Sequence, residues 1–321
     1  MSYLSMKRPC PIGVDMAEDV LKFAQLNHNG NGIDLIAGGS EELPSEIKSC
    51  SPEWQKWAVE IIGNIMEKGL FKGRDIIATM PSNQIFVDNM KMPKSKSSEK
   101  VGIGAGILSK LKDKLPFDSS TTLIQHIPTE EDNMLVMACD RQVLEKHLAI
   151  YEKANLNIMS MSAWPLALSK SYASFFCRRK GDDETIVMLL NIEQNCTNLV
   201  VCRADKPLFV RYIPTGLRQL EDEEVITRLM LDLTNCQRQF SSTYKNSRIE
   251  RLVFMSGTQS TELGNEVFKT EVCKKIAEQF EIPAQMGDCL VAIEAANPYQ
   301  LGIDRQSSQF SWATAFGLSL S

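Results

Sequence analysis

The sequence lacks the features that mark several large classes of protein. Its longest uncharged stretches, Ala154–Ser169 and Gln306–Ser321, are shorter than the roughly 20 apolar residues that a membrane-spanning helix needs. The formal charge of −5 leaves no basic surplus to follow a phosphate backbone, which disfavours a general nucleic-acid binder. The first ten residues contain a basic pair but no apolar run of a secretion signal. We therefore expect a cytoplasmic protein with no nucleic-acid partner.

The sequence also lacks the common catalytic and metal-binding motifs. It has no C-x-x-C pair, no G-x-S-x-G elbow and no P-loop, and its three histidines are far apart. The glycines of residues 102–106 resemble part of a dinucleotide-binding loop, but the last glycine and the preceding strand are missing. The nine cysteines are scattered, several of them within apolar runs, which favours buried reduced thiols. These absences predict no metal site. They also mean that any phosphate binding would use a loop other than a P-loop or a dinucleotide-binding loop.

A strand pattern occurs twice along the 321 residues. In the first copy, strands at Ile12–Asp15, Val20–Leu26 and Ile33–Ala37 are followed by a helix at Pro52–Lys68. In the second copy, strands at 186–192, 197–203 and 208–213 are followed by a helix at Glu221–Tyr244. The Asn-Gly pairs at 29–32 predict a tight hairpin between two of the first strands. The pattern therefore predicts an internal duplication of one α/β unit.

The two copies resemble the actin and Hsp70-like superfamily. Alignment places Val14–Met16 over Leu190–Ile192, each followed by a turn, and a later strand at Leu252–Thr258 ends in small residues. In that superfamily the two turns hold nucleotide phosphates and the third loop meets adenosine. The resemblance implies a candidate vestigial nucleotide site formed by Asp15, Lys22, Asn191, Thr197, Ser256, Gly257 and Thr258.

A second resemblance, to the type IV pilus assembly protein PilM family, runs from about Pro11 to Leu320. It is carried by segments that occur in the family's order: Met90–Lys94, Leu115–Phe117, Val136–Asp140, Asp205–Arg211, Arg238–Phe240 and Phe316–Leu320. The resemblance implies an actin-like (RNase H-like) α/β fold with duplicated lobes and an inserted subdomain of the FtsA and PilM type. The expected units are a first lobe at 1–82 plus 158–183, an inserted subdomain at 83–157, and a second lobe at 184–321 that lacks most of the usual insertion.

The first phosphate loop departs from the family pattern D-I-G-x-x-x-x-K. Asp15 and Lys22 keep their places, but Ala17 replaces the glycine that lets backbone N–H groups approach phosphate. Glu18 and Asp19 bring two carboxylates into the loop, where they would repel a polyphosphate. This loop therefore disfavours nucleotide binding.

The second and third loops depart from the pattern as well. Asn191 replaces an acid, Glu193 replaces a glycine, and Ser256–Thr258 keeps one of the flexible positions needed beside adenosine. We therefore expect a degenerate site with no bound cofactor and no enzymatic turnover. The alternative is an ATP-binding ATPase of the same fold, with Mg²⁺ and ATP held by the seven candidate residues.

The family resemblance also implies a partner. PilM-like proteins hold the N-terminal cytoplasmic tail of the membrane protein PilN in a groove between the first lobe and the inserted subdomain, and no motif assigns the groove residues here. The sequence therefore predicts a scaffold of a type IV pilus or related secretion platform, recruited peripherally to the inner membrane. An alternative is the cytoplasmic part of a type II secretion protein resembling GspL.

One basic segment could contribute to such recruitment. Lys91–Lys114 carries seven lysines against two acids. It is either a solvated surface or a contact for acidic lipid headgroups or an acidic partner.

Overall fold

The computed structural model describes residues 9–29, 32–91, 100–255, 263–293, 303 and 311–321. Its first sheet has five strands in the order β3-β2-β1-β4-β8. These strands are β1 (Ile12–Met16), β2 (Val20–Asn29), β3 (Gly32–Glu42), β4 (Asp75–Thr79) and β8 (Asn157–Ser162). β1 pairs antiparallel with β2 and parallel with β4, and every residue of β1 is buried, as expected for the central strand of a covered sheet. We call this sheet with its helices the first lobe.

The second sheet repeats this order as β11-β10-β9-β12-β13. Its strands are β9 (Ile186–Ile192), β10 (Thr197–Arg203), β11 (Lys206–Ile213), β12 (Arg251–Phe254) and β13 (Ala284–Met286). The central strand β9 pairs antiparallel with β10 and parallel with β12, so it occupies the place that β1 has in the first sheet. The predicted duplication is thus visible in the strand order, and we call this half the second lobe.

A third sheet, in the order β5-β7-β6, forms the inserted module. It consists of β5 (Phe86–Lys91), β6 (Thr122–Pro128) and β7 (Asn133–Asp140), all antiparallel. Helix α2 (Lys100–Leu111) covers one face of this sheet through Ile107 and Leu111. The module lies in the chain between β4 and β8 of the first sheet.

The remaining described helices pack on the two large sheets. They are α1 (Pro52–Lys68), α3 (Arg141–Lys153), α4 (Trp164–Phe176), α5 (Glu223–Thr243), α6 (Leu263–Phe280), α7 (Cys289–Ala292) and α8 (Ala313–Ser319). Local sequence explains where several begin: the Ser51 side chain caps α1, the Asp140 side chain caps α3 and the Asp222 side chain caps α5. α1 buries residues at helical spacing, as an amphipathic surface helix does.

Helix α8 crosses back to the first lobe. It packs between β1 and α4, and Ser319 Oγ accepts the Leu26 N–H at 3.0 Å. A Cβ at Gly13 would overlap the backbone of Ala315, and a Cβ at Gly317 would overlap the backbone of Ala167. Two glycines therefore permit backbone contact on both sides of this buried helix.

The observed architecture confirms the predicted actin-like α/β fold with an inserted subdomain. The predicted hairpin is present, since Asn29 and Gly32 are paired residues of β2 and β3. The residue bounds of the three units stay a prediction, although the last helix, which the sequence placed in the second unit, lies against the first sheet.

Candidate functional site

Two strand-end turns face each other where the lobes meet. One follows β1 and the other follows β9, the central strands of the two sheets. Asp15 on β1 is directly opposite Lys22 on β2, so the two side chains share one face of the sheet. The duplication therefore brings the two predicted phosphate turns to one cleft, and the hairpin register places Asp15 beside Lys22.

The Lys22 ammonium lies at the centre of this cleft. Its Nζ is 2.7 Å from Asp15 Oδ2 and donates a hydrogen bond to the Ser311 carbonyl oxygen at 2.9 Å. Asp15 and Lys22 therefore form a buried ion pair. Burial opposes the charged form of Lys22, but the charges of Asp15, Glu193 and Asp19 outweigh it and raise the lysine pKa. Lys22 is therefore a charged ammonium although it is only 2% exposed.

The turn after β9 is held by bonds within the second lobe. Asn191 Nδ2 donates to Glu193 Oε1 at 2.7 Å, and the Cys196 thiol donates to Glu193 Oε2 at 3.6 Å. Thr197 Oγ1 donates to the Thr215 carbonyl at 2.7 Å. Two predicted ligand residues, Asn191 and Thr197, are thus buried and engaged in structural hydrogen bonds.

Carboxylates surround the single lysine of the cleft. Burial raises the Glu193 pKa to about 7, because the nearby Lys22 charge only partly offsets the loss of solvent and the repulsion from Asp15 and Asp19. Burial likewise raises the pKa values of Asp19 and Glu18. A site of this kind favours protons and cations, and it opposes the approach of a polyphosphate.

The cleft has little free space. Its lining residues, which include Asp19, Lys22, Glu193, Leu217 and Ser311, enclose a cavity of about 20 Å³. That volume suits roughly one water molecule. The described residues around Lys22 are therefore closely packed.

The structure brings together some of the predicted site residues and leaves others undescribed. Asp15 and Lys22 are in contact, and Asn191 reaches their cluster through Glu193. Ser256, Gly257 and Thr258 lie outside the described residues. Sequence reasoning missed the Ser311 carbonyl, which reaches Lys22 from 289 positions along the chain, a separation that no local motif signals.

A second concave surface lies between the first lobe and the inserted module. Its volume is about 210 Å³ and its lining is mainly apolar. The first lobe contributes Met80 and residues 161–163, and the module sheet contributes residues 123–125 and 137–139. Leu144 of α3 and Ile85 complete the lining. We call this surface the module groove.

Two edge strands border the module groove. β6 is the outer strand of the module sheet and β8 is the outer strand of the first sheet. An outer strand has backbone N–H and C=O groups on one side that pair with no strand of its own sheet. The groove therefore combines an apolar floor with backbone groups available for pairing.

Residues 104–114 of the basic segment lie on the other side of the module. Ile107 and Leu111 of α2 pack on Met134 and Val136, whereas Met137, on the opposite face of β7, lines the groove. Lys114 is paired with Asp88, Nζ to Oδ2 at 2.8 Å. The described lysines of this segment therefore do not line the groove.

Polar contacts join the module to the second lobe. The Asn89 side-chain amide donates to the Val210 carbonyl at 2.8 Å and accepts from the Val210 N–H at 3.0 Å. Thr129 Oγ1 is 2.8 Å from the Tyr244 hydroxyl, and Arg203 Nη1 is 3.0 Å from Glu130 Oε1. These contacts hold the groove-lining sheet from its far end.

Metal sites and membrane-spanning helices are the other features that bear on function. No cluster of three or more His, Cys, Asp or Glu side chains in the described ranges is arranged to hold a metal ion. Within the same ranges, none of the helices is long and apolar enough to cross a membrane.

Comparisons with known proteins locate this architecture among solved structures. No protein-family model and no curated protein sequence matches the chain. A solved PilM–PilN type IV pilus biogenesis complex matches with a TM-score of 0.75 at 16% identity, over 97% of each chain. A Bacteroides thetaiotaomicron protein with an actin-like ATPase fold matches with a TM-score of 0.52 at 10% identity, over 91% of this chain and 98% of that one. The cytoplasmic domain of EpsL, an inner membrane component of the Vibrio cholerae type II secretion system, has a TM-score of 0.48 at 8% identity, over 96% and 94%.

The two similarities with TM-scores above 0.5 establish the fold. The high coverage in both directions means that the chain resembles the PilM chain along nearly its whole length. The predicted resemblance to PilM is therefore confirmed at the level of the fold, despite the low sequence identity.

Proposed function

We propose that this protein is a scaffold of a type IV pilus or related secretion assembly platform, and that it binds the N-terminal cytoplasmic tail of a PilN-like membrane protein. The observation that carries this proposal is the module groove, an open apolar surface between two edge strands in a chain with the fold of PilM. The solved relative is a complex of PilM with PilN.

The chemistry of the groove suits an extended peptide. A peptide strand laid along β6 or β8 can form backbone hydrogen bonds, and alternate side chains can enter the apolar cavity. Three of the lining residues, Met80, Met137 and Met161, have flexible side chains that adapt to differently shaped apolar groups. A volume near 210 Å³ accommodates one or two apolar side chains of such a peptide.

Recruitment to the inner membrane follows from this proposal. The tail of a bitopic membrane protein would place the chain at the cytoplasmic surface of that membrane. In this arrangement the membrane association depends on the partner.

The proposal is tested by titrating a synthetic peptide of the PilN-like tail against the full chain and two matched variants. Met161→Lys places an ammonium in the apolar groove and is expected to weaken peptide binding by about tenfold or more, since a charge that loses its water costs more than 1.4 kcal/mol. Met159→Lys makes the same change on the same strand at a residue that is 59% exposed, and it is expected to change binding by less than about twofold.

Thermal unfolding of each variant checks that the fold is retained. If Met161→Lys does not fold, Leu144→Ala replaces it, because that substitution removes apolar contact area from the groove without adding a charge. Equal peptide affinity in the groove variants and the wild type would refute the groove as the binding site.

The proposed function includes no nucleotide cycle. We expect isothermal titration with Mg²⁺ and ATP to show no binding, because the described cleft has a volume of about 20 Å³ and carboxylates border it. A dissociation constant in the low micromolar range, abolished by Asp15→Ala, would instead support the ATPase alternative.

A further inference from the structure

Lys22 is the one fully buried lysine or arginine among the residues that the structure describes. Removing a charged group from water is expensive unless nearby groups compensate it. Two groups close to the ammonium compensate its charge: the Asp15 carboxylate on β1 and the Ser311 carbonyl just before α8. The position of this ammonium is therefore set by several segments that are distant in sequence.

The charge of Lys22 also acts across the boundary between the lobes. Glu193, in the turn of the second lobe, interacts electrostatically with Lys22, and both side chains line the same small cavity. The N–H of Leu217 donates to the Glu193 carbonyl at 2.9 Å, which ties the connection after β11 to this turn. The lysine thus attracts a turn that belongs to the other half of the molecule.

Several oxygen acceptors of the cleft are buried without a hydrogen-bond donor. Asp19 Oδ2 and Asn191 Oδ1 are buried with no hydrogen-bond partner, and Asp15 Oδ2 has only its ion pair with Lys22. A group of buried acceptors is stable only if a cation or protons balance it. The ammonium supplied by the chain itself provides that balance.

We infer that the Lys22 ammonium is a built-in cation that joins the β1–β2 turn of the first lobe to the β9–β10 turn of the second and keeps the cleft closed without a ligand. This inference concerns a different surface from the module groove and does not depend on the proposed partner. Two further bonds cross the same boundary, from the Tyr212 hydroxyl to Glu18 Oε1 at 3.0 Å and from Asn198 Nδ2 to Ser82 Oγ at 2.8 Å. They hold the lobes in register on either side of the lysine.

The inference is tested by removing the ammonium and supplying it from solution. Lys22→Ala leaves a cavity bordered by carboxylates, and we expect its Tm to fall by about 5 °C or more. Adding n-propylammonium should recover part of that loss, because a ligand that binds only the folded state stabilises it. The neutral alcohol n-propanol, similar in size, should recover none of it.

Hydrogen exchange shows whether the effect crosses the cleft. In Lys22→Ala, backbone amides of residues 193–197 and 215–220 in the second lobe should exchange at least about fivefold faster, and n-propylammonium should slow them again. The matched control is Lys170→Ala, which removes a partly exposed lysine 4.0 Å from Asp205 and should show no response to the amine.

Three results would overturn the inference. They are an equal effect of amine and alcohol, no effect of either, and unchanged exchange in the second-lobe turn. If Lys22→Ala does not fold, the double variant Lys22→Met with Asp15→Asn removes the ion pair with groups of similar size. Faster exchange in the second-lobe turn of that variant would support the inference, and unchanged exchange would refute it.

Discussion

The module groove and the cleft between the two lobes differ in how their space is filled. The cleft is polar, contains a buried ion pair and has a volume of about 20 Å³. The groove is mainly apolar, has a volume of about 210 Å³ and is bordered by two edge strands. In the cleft, the charge of Lys22 lies against the Asp15 carboxylate, whereas the groove exposes apolar surface between two outer strands to which no other described strand pairs. The groove is therefore the surface to which we assign the proposed partner, and the cleft is the one that we propose is closed by the chain's own lysine.

Both regions also depend on elements that come from elsewhere in the chain. Ser311, just before α8, completes the environment of Lys22, and α3 contributes Leu144 to the groove. Substitutions in these supporting helices therefore test each region separately.

The largest effect is expected when the support of the cleft is broken. Gly317→Val forces a side chain into the Ala167 backbone and should displace α8 together with Ser311, destabilising the fold by about 3 kcal/mol or more. Chemical denaturation measures this change. Gly63→Ala is the matched control, because a Cβ there meets no atom within 4 Å in the interior of α1, and it should stabilise by about 0.5 to 1 kcal/mol. Similar stabilities for the two variants would contradict the tight packing of α8.

A smaller effect is expected from acid on α3, the helix that contributes Leu144 to the groove. His147 on α3 is buried between Met16 and Gln84, and burial lowers its pKa from 6.5 to about 4. The unfolded chain then binds more protons than the folded one between those values, so this residue contributes stability above pH 6.5 that is lost as the pH falls toward 4. From pH 7 to pH 5 the loss is about 2 kcal/mol.

Urea denaturation at the two pH values checks this prediction. His147→Gln keeps a polar side chain that does not titrate, so its loss of stability between pH 7 and pH 5 should be smaller than that of the wild type by about 2 kcal/mol. An identical pH dependence in the variant would show that His147 does not titrate with a lowered pKa.

The smallest effect is expected from the basic segment. Lys110, Lys112 and Lys114 are exposed on the part of the module that lies away from the groove. Replacing all three with alanine should change the affinity for the PilN-like tail peptide by less than about twofold at physiological ionic strength, where exposed charges are screened over about 8 Å. A loss of tenfold or more, measured by the same titration, would place the peptide on the lysine-bearing side.

The sequence allowed much of the secondary structure to be predicted, because periodicity and caps are local. The helix at Pro52–Lys68 and the strands at Ile186–Ile192 and Thr197–Arg203 begin and end at the predicted residues. The first strand of the inserted module was predicted less accurately, at Gln84–Met90, since residues 82–84 form a short 3-10 turn and β5 starts at Phe86. The turn has the same apolar and polar composition as a strand end, so pattern alone could not separate them.

The candidate site was predictable only in part. The sequence shows that Asp15 and Lys22 keep the family's order in the first loop. It also shows three departures from the nucleotide-binding pattern, at Ala17, Asn191 and Glu193. The burial of Lys22 beside Asp15 could not be predicted, because it depends on the β1–β2 register and on the Ser311 carbonyl near the end of the chain. The groove residues carried no motif at all, because an apolar floor has the same composition as an ordinary core.

The sequence by itself determined the duplicated α/β units and which residues stand at the two turns, because strand periodicity and turn chemistry act over short distances. Only the tertiary structure decided that Lys22 fills the cleft and that β6 and β8 border an open groove. Both outcomes depend on how separate sheets are placed against each other. That placement arises from packing between residues more than 100 positions apart, such as Asn89 with Val210 and Lys22 with Ser311.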